Sequence, residues 1–101
     1  MHTKQLPKDT VRDLLGIARA LYVVRDNQGA PPSELDRIRE VSAWLIDALE
    51  LARTAPDTLG HRAAWAKAER ATSVLTELLL AHDESTKQLV GAWAERLVGA
   101  R

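Results

Sequence analysis

The stretch SELDRIREVSAWLIDALELART, residues 33–54, is the best-defined helical pattern in the chain and decides the expected fold. Ser33 is predicted to cap this helix, because its hydroxyl can accept a hydrogen bond from a free backbone N–H group. Mostly apolar residues recur at helical spacing along one side of it: Leu35, Ile38, Val41, Ser42, Leu45, Leu49 and Ala52. A second line of Trp44, Ala48 and Leu51 widens the apolar surface to roughly 200°. Such a helix must be covered on two sides, and we expect a partner to supply one cover.

Three further helical patterns accompany this one, and short connectors separate them. The first ends at Gly29, a residue suited to the left-handed conformation that stops a helix. Pro56 interrupts the chain after the second helix, and Ser85 with Gln88 has the spacing of a capping box that opens the fourth. Short connectors make neighbouring helices antiparallel. The sequence therefore predicts an all-α, up-down-up-down four-helix bundle with helices at about 7–26, 34–54, 58–82 and 85–98.

The composition indicates one globular domain. The chain has 101 residues, of which 46% are hydrophobic and 28% charged, values that are ordinary for a globular protein. We expect residues 1–6 to form a flexible lead-in and residues 7–101 to form a single four-helix domain. Since 14 basic residues balance 14 acidic ones, the chain lacks the basic excess that nucleic-acid binders usually show. No segment has the length and apolarity of a signal peptide or membrane span, so we expect no membrane contact and a cytoplasmic location.

Few residues could support catalysis. The chain has no cysteine, no glycine-rich phosphate loop, no GxSxG motif and no Glu-x-x-His pair of the kind that di-iron bundles use. Its acidic residues fall on predicted outer faces, where a carboxyl group is not tuned for acid–base work. We therefore predict a protein that is not an enzyme, with no catalytic residue, no cofactor and no metal site.

His61 and Trp65 form the candidate ligand pocket of this sequence. They lie one helical turn apart, at an end of the third helix that the shorter fourth helix should leave less covered. Imidazole could act there as a base, a ligand or a phosphoacceptor. Histidine-phosphotransfer bundles carry Lys and Gly one turn after the histidine, whereas this chain has Ala64 and Trp65 at those places. The alternative interpretation is that both side chains simply complete the end of the bundle.

Apolar residues outside the expected core indicate an interaction surface along the outer edges of the first two helices. Six residues define this surface: Gly16, Ala20, Val23, Trp44, Ala48 and Leu51. A tryptophan beside leucine is typical of the anchors of protein interfaces, although scattered exposed apolar residues are common on monomers too.

The preferred prediction is a small non-enzymatic protein–protein interaction module that binds itself or another protein. We expect a homo-oligomer, most simply a homodimer, and the Arg-rich, Ala-rich composition suggests a bacterial source. The alternative is a small-ligand-binding or phosphoacceptor bundle that uses the end with His61 and Trp65. A DNA-binding role is weaker, because the helix after the turn at residues 55–58 offers few side chains that read bases.

Overall fold

The computed structural model describes residues 7–54 and 58–99, and these residues form four α-helices without a strand. The helices are α1 (Lys8–Asn27), α2 (Pro32–Thr54), α3 (Thr58–Leu80) and α4 (Glu84–Gly99). The all-α four-helix prediction is therefore confirmed, with boundaries close to the expected ones. The expected lead-in at residues 1–6 and the break at Pro56 lie outside the described residues.

The first helix ends as its glycine predicts. Gly29 has a φ of 76°, which a residue with a Cβ atom rarely adopts. The Gly29 N–H group donates to the Asp26 carbonyl at 3.0 Å, and the Ala30 N–H group donates to the Arg25 carbonyl at 2.9 Å. This pair of hydrogen bonds is a Schellman motif, and it satisfies two carbonyls at the end of α1.

Two predicted capping residues are wrong. Helix α2 begins at Pro32, and the Pro31 carbonyl accepts the N–H group of Glu34 at 3.0 Å, so Ser33 lies inside the helix. Proline fits the first helical position because its φ is already helical and it has no N–H group to satisfy. Helix α4 begins at Glu84, and the Asp83 carboxylate, rather than Ser85, accepts the Thr86 N–H group at 2.8 Å.

Helix α1 lies between two neighbours. It packs against α2 on one side and α4 on another, while α2 packs against both α1 and α3. Arg25 pairs with Glu34, and Tyr22 bonds to Arg39, so the partners on α2 follow in reverse order. This is the order expected of the predicted antiparallel neighbours. Helices α3 and α4, in contrast, make almost no direct contact, and this side of the bundle stays open.

The core consists of small and aliphatic side chains on all four helices. Its largest fully buried members are Leu21, Ile38, Leu45, Val11 and Val41. Five alanines have no exposed surface and let the helices approach closely: Ala18, Ala20, Ala48, Ala64 and Ala71.

The placement of Gly16 and Ala20 on a side of α1 that faces away from the core is wrong. Both residues are buried, and Ala20 is completely inaccessible. The physical reason is the second neighbour of α1, because α4 packs on this helix as well as α2. Small side chains at these positions permit that close packing. Ala48 is also fully buried inside the single chain.

Gly29 and Gly91 provide a matched test of the backbone. A Cβ atom at either position meets no atom within 4 Å, so packing does not distinguish the two. We expect Gly29→Ala to lower the free energy of unfolding by about 1–2 kcal/mol, because alanine disfavours a positive φ. Gly91→Ala in α4 should raise it by about 0.5–1 kcal/mol, because alanine favours a helix. Urea unfolding followed by circular dichroism measures both, and equal effects would contradict this explanation.

The cap of α4 predicts a pH-dependent stability. Hydrogen bonds from the backbone and hydroxyl of Thr86 lower the pKa of Asp83 from its ordinary 3.8, and His82 and Arg25 add smaller electrostatic contributions. The charged carboxylate therefore stabilises the native state above the unfolded pKa, and this contribution is lost as the pH falls through the lowered native pKa. We expect Asp83→Ala to lower the melting temperature at neutral pH, with a difference from the native protein that shrinks in acid. A constant difference across the acid range would contradict this prediction.

Candidate functional site

The open side of the bundle contains two apolar cavities that lie one after the other along α3, which together we call the α3–α4 trough. One cavity of about 550 Å³ lies between α1 and α3, against Val11, Leu14, Trp65, Ala68 and Thr72. A second, of about 360 Å³, lies against Ile17, Thr76, Leu80, Val90, Gly91 and Ala94 of α1, α3 and α4. The two follow each other one helical turn apart along the same faces of α1 and α3. From Trp65 to Leu80 the trough is about 22 Å long at the helical rise per residue.

Helix positions explain why this trough is apolar and open. Leu78, Leu79 and Leu80 are consecutive, and successive helical residues point about 100° apart, so they cannot all face the core. Leu80 remains 69% exposed at one end of the trough. On the facing wall, Gly91 and Ala94 of α4 project little or nothing into the cavity.

The trough carries opposite charges towards its two ends. Glu69 lines the wider cavity beside Trp65, and Lys87 lines the cavity beside Leu80. Lys87 also forms an exposed pair with Glu84 at 3.4 Å. Such surface pairs contribute little energy, so the Lys87 ammonium group can exchange its partner at little cost.

The structure separates the two residues of the predicted ligand pocket. Trp65 packs against the core and forms a wall of the wider cavity, whereas His61 does not line it. His61 is half-buried, and its Nδ1 atom is enclosed without a hydrogen-bond partner among the described residues. The pocket prediction therefore applies to Trp65 and the trough.

The six residues of the predicted interface do not form one exposed surface. Gly16, Ala20 and Ala48 are buried within the chain, while Val23, Trp44 and Leu51 are partly exposed. The Trp44 ring lies beneath two guanidinium groups, with Arg70 4.8 Å and Arg37 5.9 Å from its centroid. These cations cover part of the indole that the sequence assigns to a partner.

A polar cluster joins the helix ends at the opposite end of α3 from Trp65. Arg25 donates to Glu34 through Nε at 2.6 Å and through a second nitrogen at 3.2 Å. His82 Nε2 lies 3.9 Å from the same carboxylate, and Gln28 donates to the Thr86 hydroxyl at 3.3 Å. A two-pronged Arg–carboxylate pair fixes geometry as well as charge. This cluster therefore ties the α1–α2 connection to the α3–α4 connection.

The described residues show neither a cluster of metal ligands nor a helix suited to a membrane. Across residues 7–54 and 58–99, no three His, Asp or Glu side chains are placed to hold one metal ion. None of the described helices has the length and apolarity to cross a bilayer. The chain matches no protein-family model, no curated protein and no solved structure at a significant level.

Sequence patterns alone did not identify the α3–α4 trough, although two signals pointed to it. The run of three leucines at the end of α3 requires one of them to leave the core. Gly91 occupies the middle of a helix, where glycine is unfavourable by about 1 kcal/mol relative to alanine. Both signals lie in α3 and α4, whereas the predicted interface lies on α1 and α2.

Proposed function

We propose that this protein is a non-enzymatic interaction module that self-associates through the α3–α4 trough. The observation that carries the proposal is the sparse packing between α3 and α4, together with the apolar cavities beside these helices. Grooves between helices commonly receive an apolar ridge from a binding partner. The predicted interaction function is retained here, but its surface moves from the outer edges of α1 and α2 to the opposite side of the bundle. On compositional grounds, we also propose a bacterial source and a cytoplasmic location.

The occupant we propose is a second copy of this chain. A two-fold axis perpendicular to the trough reverses its direction, so each end of one copy meets the other end of its partner. This operation brings Glu69 of one copy opposite Lys87 of the other, twice in each dimer. Opposite charges that pair under the symmetry operation favour one orientation of the two copies.

The same operation pairs an apolar projection with an apolar cavity. Leu80 is 69% exposed at the Lys87 end, while the wider cavity with Trp65 lies at the Glu69 end. In the reversed copy, Leu80 therefore faces the partner's wide cavity. Burial of this leucine in an apolar cavity of the partner would stabilise the dimer.

The first test is the oligomeric state of variants at the apolar contact. We expect a dimer by light scattering, and we expect Leu80→Glu to weaken the dimer by roughly tenfold or more, because burying a leucine contributes about 1.5–3 kcal/mol. Leu59→Glu is the matched control, since Leu59 is 75% exposed on α3 and lies outside the trough. A monomer at high protein concentration would reject the proposal, as would equal weakening by both variants.

Reversing the charges of Glu69 and Lys87 adds a rescue test to the same experiment. Glu69→Lys alone places two cations together across the axis and should weaken the dimer about two- to fivefold, given the energies of exposed ion pairs. Adding Lys87→Glu restores opposite signs and should restore the affinity. Additive weakening in the double variant would show that these two residues do not meet.

A second candidate function is the binding of a small apolar molecule in the wider cavity. A volume of about 550 Å³ lies within the range of ligand sites, and Trp65 forms part of the wall. We expect 1-octanol to shift the emission of Trp65 to shorter wavelength, with Trp65→Phe as the blank. Leu14→Asn should abolish the shift, and His61→Ala should leave it unchanged because His61 does not line the cavity. Absence of a saturable shift would exclude this function.

A further inference from the structure

A second concave surface lies between α1 and α2, away from the α3–α4 trough. It has a volume of about 330 Å³ and is lined by Arg19, Tyr22, Val23, Arg39 and Ser42. Two of these side chains are cationic, two carry hydroxyl groups, and none is a carboxylate. The lining therefore offers hydrogen-bond donors and positive charge, which together suit an anion.

Arg39 is held in place on this surface. Its guanidinium group donates to the Tyr22 hydroxyl at 2.6 Å and lies 5.2 Å from the centroid of the Tyr22 ring. Asp36 is the competing carboxylate, but it lies 3.8 Å from Arg39 and both side chains are about two-thirds or more exposed. Because an exposed pair at this distance is weak, Asp36 leaves most of the Arg39 charge available.

The Tyr22 hydroxyl adds a donor to the same surface. Its oxygen accepts the Arg39 N–H group, so the phenolic proton remains for another acceptor. The Ser42 hydroxyl donates to the Ile38 carbonyl at 3.2 Å and contributes only polar lining. Arg39 and Tyr22 thus present a preformed pair of donors.

Arg19 differs from several other exposed arginines of this protein. Arg12, Arg37 and Arg53 each pair with a carboxylate three residues away on the same helix. Arg19, in contrast, forms no hydrogen bond or ion pair with the residues that the structure describes. Its guanidinium group is therefore free to bind an external anion beside Arg39.

We infer that the surface formed by Arg19, Tyr22 and Arg39 binds a phosphate group. Two guanidinium groups match the double charge and several oxygens of a phosphate monoester, since each can donate two parallel hydrogen bonds. Val23 supplies the apolar contact for the organic part of the ester. The inference is independent of the proposed dimer, because none of these residues lines the trough.

The experiment is an NMR titration of the full chain with inorganic pyrophosphate at constant ionic strength. We expect saturable shifts of the Arg19 and Arg39 side-chain N–H signals. Arg19→Gln and Arg39→Gln should each weaken binding by about tenfold, the effect of losing one hydrogen bond to a charged group. Arg62→Gln is the matched control, because it removes the same charge from an exposed residue outside this surface.

A second arm distinguishes a soluble phosphate from a lipid headgroup. Sedimentation with phosphatidylglycerol vesicles, compared with phosphatidylcholine vesicles, measures binding to an anionic headgroup. If Arg19→Gln and Arg39→Gln weaken the binding seen in one of the two arms, the result supports the site. The arm in which binding occurs identifies the source of the phosphate. Absence of binding in both arms overturns it, as does equal weakening by Arg62→Gln. Leu80→Glu should change neither arm.

Discussion

Burial of α1 on two sides is the constraint on which the rest of the structure depends. Ala18 and Ala20 are both completely inaccessible, although residues two apart on a helix point about 160° away from each other. One neighbouring helix cannot cover both directions. Helices α2 and α4 therefore both pack on α1, and α3 reaches the bundle mainly through α2. The order of packing around the bundle follows from this central position of α1.

This order leaves the α3–α4 side without a closing contact. A closed four-helix bundle buries apolar residues between every adjacent pair of helices, whereas this chain leaves an apolar trough between α3 and α4. Exposed apolar surface that is concave and continuous is typical of binding sites. The trough, rather than any single residue, is the feature that an account of function must explain.

The arginine side chains of this protein differ in how they are paired. Arg12, Arg37 and Arg53 pair with carboxylates on the same helix, and the Arg25–Glu34 pair links α1 to α2 in a partly buried position. Arg19 forms no ion pair with the residues that the structure describes, and Arg39 bonds to the Tyr22 hydroxyl at 2.6 Å while its exposed pair with Asp36 is longer, at 3.8 Å. A protein with no net charge therefore still presents a locally basic surface between α1 and α2.

The sequence by itself determined the local structure. Periodicity located four helices, and Gly29 located the end of α1, because helical spacing and a positive φ are properties of a few neighbouring residues. Tertiary structure decided which faces are covered. Gly16 and Ala20 were expected on an outer side, yet both are buried, because burial depends on which helices pack there. The trough and the Arg19–Tyr22–Arg39 surface arise between helices, so no single helical pattern contains them.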